Sequence, residues 1–332
     1  MERELTTPSS KLIEFLRRAE GDFIVLGAGG KMGPSLALML QRGNEVAGVQ
    51  KKVIAVSRFS SRGVKEKLEF AGIETIVADL LDEDKLRALP FVENVIHMAA
   101  QKFGTNGGEY DSWALNSYLP GGVAEKFRDS RIVHFSTGNI YPFVSIRTRG
   151  SKERDSPGPV GEYAQSRLGG ERILEYFSRR YGTKVTTLRL NYAVELRYGV
   201  LHDVARSVMA GRPIDLRMGH VNVIWQGDAN DIAVRSLALT SSPPRILNLT
   251  GPEKISVRWA AREFGKLFGV RPVFRFSESG TALLNDATST LKLFGRPSVS
   301  LKQMMLWVVN WLKAGGRSFD KPTHFQERAG RF

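Results

Sequence analysis

Tyr163 and Arg167, in the stretch YAQSRLGGE (163–171), stand four residues apart, a spacing that puts both side chains on one face of a helix. The chemistry open to such a pair is proton transfer. A phenol gives or takes a proton, and a fixed cation beside it stabilises the phenolate. A free tyrosine titrates near ~10, so few are ionised at neutral pH without that help. Arginine supplies the charge as well as lysine does, but its fork is larger and planar, and it does not give up a proton to act as a relay. A second chemical group is the hydroxyl pair Ser136 and Thr137 in HFSTGNIYP. A third is VLGAGGKMG, with Gly27, Gly30 and Gly33 at regular spacing. Glycines there permit a tight turn, let a diphosphate approach the backbone and let helix and strand pack closely. The helix that follows offers free N–H groups and a partial positive charge to an anion. A merely structural turn is the alternative; a strand before and a helix after favour the dinucleotide site.

These groups need a scaffold, and the hydrophobic pattern predicts one. DFIVLGAGG, KVIAVSR, ETIVADL, VENVIHMAA, DSRIVHFSTGN and TKVTTLRLN read as six strands, and PRILNLTG as one more. KMGPSLALMLQRG, YDSWALNSYLPGGVAEKF and GEYAQSRLGGERILEYFSRRYG read as the helices between them. Strands that are apolar on both faces, alternating with helices, predict an α/β fold: a Rossmann-like, doubly wound parallel sheet with a smaller C-terminal substrate-binding region. The expected organisation is a leading helix over 1–20, a dinucleotide-binding domain over 21–190 to which 225–250 returns, a substrate-binding region over 191–224 and 251–315, and a polar tail over 316–332. The tail is expected to be irregular, or an arm over a neighbour.

The end of the second strand selects the cofactor. An acid there would accept a bond from a ribose 2′-OH, but the sequence reads AVSRFSSR, with Ser57 followed by Arg58. A guanidinium beside hydroxyl residues suits a 2′-phosphate, and the basic run from Lys51 to Lys67 points the same way. NADP is therefore favoured over NAD, the other reading of Arg58 being a solvated surface charge. Asp79, after the third strand, can reach an adenine amino group or cap the strand end. Ala99 and Ala100 leave room for a cofactor against the backbone.

Composition excludes several classes. At 332 residues, with 42% apolar and 25% charged residues, the chain suits a soluble globular protein with a well-buried core. No apolar run approaches the ~18 residues of a membrane span, and the charged N-terminus lacks a signal peptide's apolar stretch, so a cytoplasmic location is expected. With no cysteine, disulfides, thiolate metal sites and a cysteine nucleophile are excluded. None of the five histidines is spaced as a metal pair, so no metal site is expected. The net charge of +14 is scattered, without an aromatic-studded basic face, and nucleic acid is not an expected partner. Trp307 with Trp311, and Phe264 with Phe268, read as core.

The glycine turn, VIHMAA, HFSTGNIYP, YAQSR, LRLNYAV and WQGDANDIA together resemble the extended short-chain dehydrogenase/reductase family, of the NAD(P)-dependent epimerase/dehydratase type, over nearly the whole chain. The resemblance implies that Tyr163 is the general acid/base and that Thr137 orients the substrate oxygen. The family's Tyr-x-x-x-Lys lysine falls at Arg167, where it would hold the nicotinamide ribose. It also implies cofactor contacts from Lys31, Met32, Leu80 and Asn116 alongside the residues above. On the substrate side it implies Lys102 within QKFGTNGG, Asn139, Asn191 and His220, the last at the pocket rim. Arg217 is out of register with the arginine that grips a nucleotide-sugar diphosphate, which leaves room for a free sugar or sugar acid. The implied activity is hydride transfer at a sugar-like hydroxyl, and the implied assembly is a homodimer. An inactive NADP-binding sensor or scaffold is the alternative that Arg167 raises.

Overall fold

The computed structural model describes residues 1–102 and 107–331. Phe23–Leu26 (β1), Val53–Ser57 (β2), Glu74–Val77 (β3), Asn94–His97 (β4), Arg131–Thr137 (β5), Lys184–Leu190 (β6) and Arg245–Leu249 (β7) form one sheet, in the order β7-β6-β5-β4-β1-β2-β3. The β4-β1-β2-β3 ladders and β4 with β5 are parallel. Every residue of β1 and β4 is buried, as a strand covered on both faces requires. At the sheet edge β3 exposes Glu74 and Val77. Strand order reverses between β1 and β4, and in such sheets the crevice beyond the strands' carboxyl ends at that reversal receives the ligand.

Contacts divide the chain into two compact units: Met1–Ser136, Glu162–Arg189 and Asn230–Leu247 form one; Thr137–Gly161, Leu190–Ala229 and Asn248–Phe332 form the other. In the first unit the leader is two helices, Glu2–Thr6 and Ser10–Arg18, the second capped by the Ser9 hydroxyl accepting from Leu12 N at 3.1 Å. It packs on the helix Gly33–Ala47 so closely that a Cβ on Gly43 would stand 2.4 Å from Leu16 Cδ1. The single helix expected over YDSWALNSYLPGGVAEKF is Glu109–Trp113, a π-turn Ala114–Tyr118 and Leu119–Lys126. In the second unit the helices Val200–Met209, Val257–Phe268 and Leu301–Lys313 pack together, and Trp307 meets Trp225 edge-on at 5.1 Å. No helix among the described residues is long and apolar enough to cross a membrane.

Candidate active site

The glycine turn joins β1 to the helix Gly33–Ala47 in the first unit. Gly27 has φ +87°, and a Cβ there would stand 2.6 Å from Ala99 N, so both the left-handed backbone and the close approach of β4's end demand glycine. A Cβ on Gly33 would stand 2.5 Å from Ala28 O, which presses the helix start against the turn. Gly30 closes the turn, its N–H donating to Gly27 O at 3.1 Å. Gly29 was not among the expected contacts, yet its Cβ would meet Ser57 Oγ at 2.5 Å, so it is the point where the turn passes β2. The second glycine of GAGG was the available signal. Lys31 and Met32 complete the turn, Met32 being buried at the start of the helix.

At the end of β2 the basic run divides. Lys51 donates to Leu16 O and Ala19 O, capping the leader helix; Lys65 pairs with Glu69 at 2.6 Å; Lys67 pairs with Glu2 at 2.5 Å. These three charges hold elements together. Arg58 is exposed, with Asp79 Oδ2 3.7 Å away. The two residues expected to hold different parts of a cofactor thus face each other. Ser57 Oγ accepts from Phe59 N at 3.3 Å. Leu80 is 6% exposed and belongs to the buried cluster that holds Leu86 and Val95. Ala99 is half-buried and Ala100 exposed beyond β4.

Tyr163 and Arg167 lie on the long helix Gly161–Tyr181, both buried, at 9% and 2% exposure. The helix sits close against the π-turn because Gly169 and Gly170 carry no side chain: a Cβ on Gly170 would stand 2.2 Å from Asn116 O. Asn116, expected at the cofactor, has its amide engaged elsewhere. It donates to Gln101 O at 2.8 Å and to Ser166 Oγ at 3.0 Å, and accepts from Gln101 N at 3.0 Å. It braces the loop after β4 against the long helix. Ser136 donates to Glu171, and Arg189 of β6 pairs with Glu171 at 2.7 Å, all three buried.

Arg167 is left with Nε and Nη1 unpartnered. Burial pulls its pKa down, while Tyr163 and Glu171 act the other way. In the same unit His97 and His134 meet Nδ1 to Nδ1 at 3.0 Å. Burial, then the Arg167 charge, pushes His97 down to about 3 and His134 well below the ordinary imidazole range, so both are neutral. One ring must therefore donate from Nδ1 and the other accept there, which makes them opposite tautomers. Neither histidine was read as part of the site; both occupy strand positions where apolar residues are usual.

In the second unit Thr137 is 5% exposed, and its Oγ1 accepts from Asn139 N at 3.2 Å. Asn191 is buried with both amide atoms unpartnered, as is Asn285, which the sequence reading did not single out. Asn285 lies against the turn after Thr137: a Cβ on Gly138 would stand 2.7 Å from its Oδ1. Buried amides without partners are unusual and mark places where a ligand or water completes the bonding. His220 is half-buried in a short strand paired with Ile255–Ser256, and burial lowers its pKa. Lys102 is half-buried in the first unit; residues 103–106 of QKFGTNGG lie outside the described residues. Among the described residues no group of three or more His, Asp or Glu is placed to hold a metal ion.

Residues 23–216 match the NAD dependent epimerase/dehydratase family. No curated protein matches the chain. Among solved structures, UDP-glucose 4-epimerase of Thermotoga maritima, with UDP-glucose, is similar at 18% identity over 89% of this chain and 99% of that one, TM-score 0.72. UDP-glucuronic acid 4-epimerase of Bacillus cereus, with NAD, is similar at 18% identity over 88% and 99%, TM-score 0.73. The dTDP-glucose 4,6-dehydratase of Streptomyces venezuelae, with NAD, is similar at 18% identity over 88% and 97%, TM-score 0.75. At these identities the likeness is one of fold.

Proposed function

The chain belongs to the NAD dependent epimerase/dehydratase family, and from that premise we propose that it is a nicotinamide-dependent oxidoreductase or epimerase/dehydratase acting on a hydroxyl of a sugar, sugar acid or nucleotide sugar. The residues present suit a dinucleotide: the Gly27 cradle leaves backbone open where a side chain would fill it, and Arg167 keeps two buried donor atoms without partners. Gly27, Gly30 and Gly33 would hold the diphosphate, and Arg167 the nicotinamide ribose. Bound there, the cofactor supplies a site that takes or returns hydride at the substrate carbon. Tyr163 takes or gives the hydroxyl proton, Arg167 stabilises the phenolate by its field, and Thr137 is assigned the substrate oxygen. Asn139 and Asn191 are assigned the remaining polar groups of the substrate.

The observation that carries this reading is Arg167 itself. A buried guanidinium with unpaired N–H groups is costly, by about 1–3 kcal/mol for each group left unsatisfied. Such a cost is expected where a ligand completes the site. The test is incubation with NAD or NADP and a panel of sugars, sugar acids and nucleotide sugars, following reduced nicotinamide and product isomers. Turnover that Tyr163→Phe lowers by about 10²-fold or more, with dinucleotide binding retained, supports it. Turnover that survives Tyr163→Phe removes the assignment.

Arg58 supports NADP over NAD, since its guanidinium is exposed and can pair with a 2′-phosphate, although Asp79 competes for it. Two of the solved structures named above, the Bacillus cereus epimerase and the Streptomyces venezuelae dehydratase, carry NAD, so both forms belong in the test. A groove of about 410 Å³ lined by Leu86, Tyr118, Ile173 and Phe177 supports a homodimer through the long helix. The second reading, a dinucleotide-holding sensor or scaffold, rests on Arg167 in the lysine position, because a guanidinium cannot relay a proton. Tight dinucleotide binding with no turnover on any substrate favours it.

A further inference from the structure

Residues 316–332 read as a polar tail, irregular or an arm over a neighbour, yet contacts from Phe319 to Gly330 hold the segment to the second unit. Phe319 N donates to Arg197 O at 3.1 Å, with the Arg197 guanidinium 4.3 Å from the Phe319 ring centroid. Thr323 donates from N and Oγ1 to Asp203 Oδ2 at 2.8 and 2.6 Å, and Phe325 is buried. Arg328 is the last anchor. It donates to Thr281 O at 2.9 Å and Thr281 Oγ1 at 2.7 Å, and lies 4.2 Å from the Phe143 ring centroid.

Beyond it, Gly330 crosses the backbone at Gly161. Both glycines have positive φ, and a Cβ on either would come within 2.4 Å of the other strand's carbonyl oxygen, so two glycines far apart in sequence make one crossing possible. The segment closes over a cavity of about 20 Å³ lined by Asn139, Phe143, Val160, Tyr192, Glu327 and Gly330. That is room for about one water and not for a hexose. The cavity is bounded by Asn139, which the function proposed above assigns to the substrate, and by Tyr192, the chain neighbour of the other assigned residue, Asn191.

We infer that residues 317–331 are a strap forming one wall of the substrate pocket, latched by Arg328 and seated on Gly161, and that Glu327 on its inner side is a substrate-contacting, specificity-determining residue. The strap must lift to admit a sugar. A carboxylate on that wall accepts bonds from neutral hydroxyls and repels a phosphate or a second carboxylate. The favoured substrate therefore presents uncharged hydroxyls at this end. This rests on the functional reading only for the identity of the pocket.

The experiment has two arms on the full chain. Hydrogen exchange compares wild type with Arg328→Ala. Exchange at 139–143 and 158–161 rising by about 10-fold, an opening shift of about 1.4 kcal/mol, is expected, and unchanged exchange overturns the strap. Calorimetry measures Kd in the presence of NAD for two probe pairs, glucose with glucuronic acid and UDP-glucose with UDP-glucuronic acid. Glu327→Gln should weaken the neutral member of a pair and tighten the acid, moving their ratio by about 10-fold. A ratio within about twofold of wild type, or no binding of any probe, overturns the contact. Because both arms read without turnover, an inactive protein that passes them loses the enzymatic reading and keeps the strap.

Discussion

Arg189 holds Glu171 in a buried pair, Nη2 to Oε2 at 2.7 Å, and Arg167, one turn before Glu171 on the same helix, has no ion pair among the described residues. The carboxylate nearest to Arg167 in sequence is thereby neutralised from β6, with Ser136 of β5 donating to it as well. The arrangement ties helix to sheet and leaves Nε and Nη1 of Arg167 without a hydrogen-bond partner.

Glu171→Gln or Arg189→Met should destabilise the fold by about 3–5 kcal/mol, because removing one partner leaves the other charge buried alone. Urea midpoints measure this, and a loss below about 1 kcal/mol would mean that the pair is solvated.

Arg167→Met should do the opposite. Removing an unpaired buried charge should stabilise the protein without ligand, by about 1 kcal/mol or more, while weakening dinucleotide binding by about 10-fold or more. Thermal melting with and without NADPH reads both. A variant that is less stable and binds normally would place Arg167 among structural residues.

Acid should act through the imidazole pair. His97 and His134 stay neutral in the folded chain, with His97 at about 3, whereas the unfolded chain takes up their protons below the ordinary value of about 6.5. Their contribution is fully present above that value and is lost as the pH falls toward about 3. Each ring adds about 1.4 kcal/mol per pH unit to the slope of unfolding free energy in that window. His134→Phe should reduce the slope by that amount for its own ring, measured by denaturant titration from pH 7 to 5. An unchanged slope would show that the rings titrate in the folded state.

Arg58→Ala should cut the preference for NADPH over NADH by about 10-fold, the worth of one charge-assisted contact. Asp79→Asn, which frees Arg58, should move the preference the other way. Fluorescence titration of the reduced cofactors decides it, and equal affinities in all three proteins would make Arg58 a surface charge.

Sequence alone determined the strands, their alternation with helices, the glycine turn and the placing of Tyr163 and Arg167 on one helix face. Each of these is written in local periodicity or in residue types that a turn requires. It did not show that Lys51, Lys65 and Lys67 of the basic run pair with the leader helices and with Glu69, nor that Asn116 braces Gln101 and Ser166. Only the tertiary structure set His97 against His134, Glu171 against Arg189 and Gly330 against Gly161. Those partners are distant in the chain and are chosen by sheet order and by how closely two backbones pass. A pattern of neighbours carries which face a side chain occupies, and the packing of whole elements decides what it meets there.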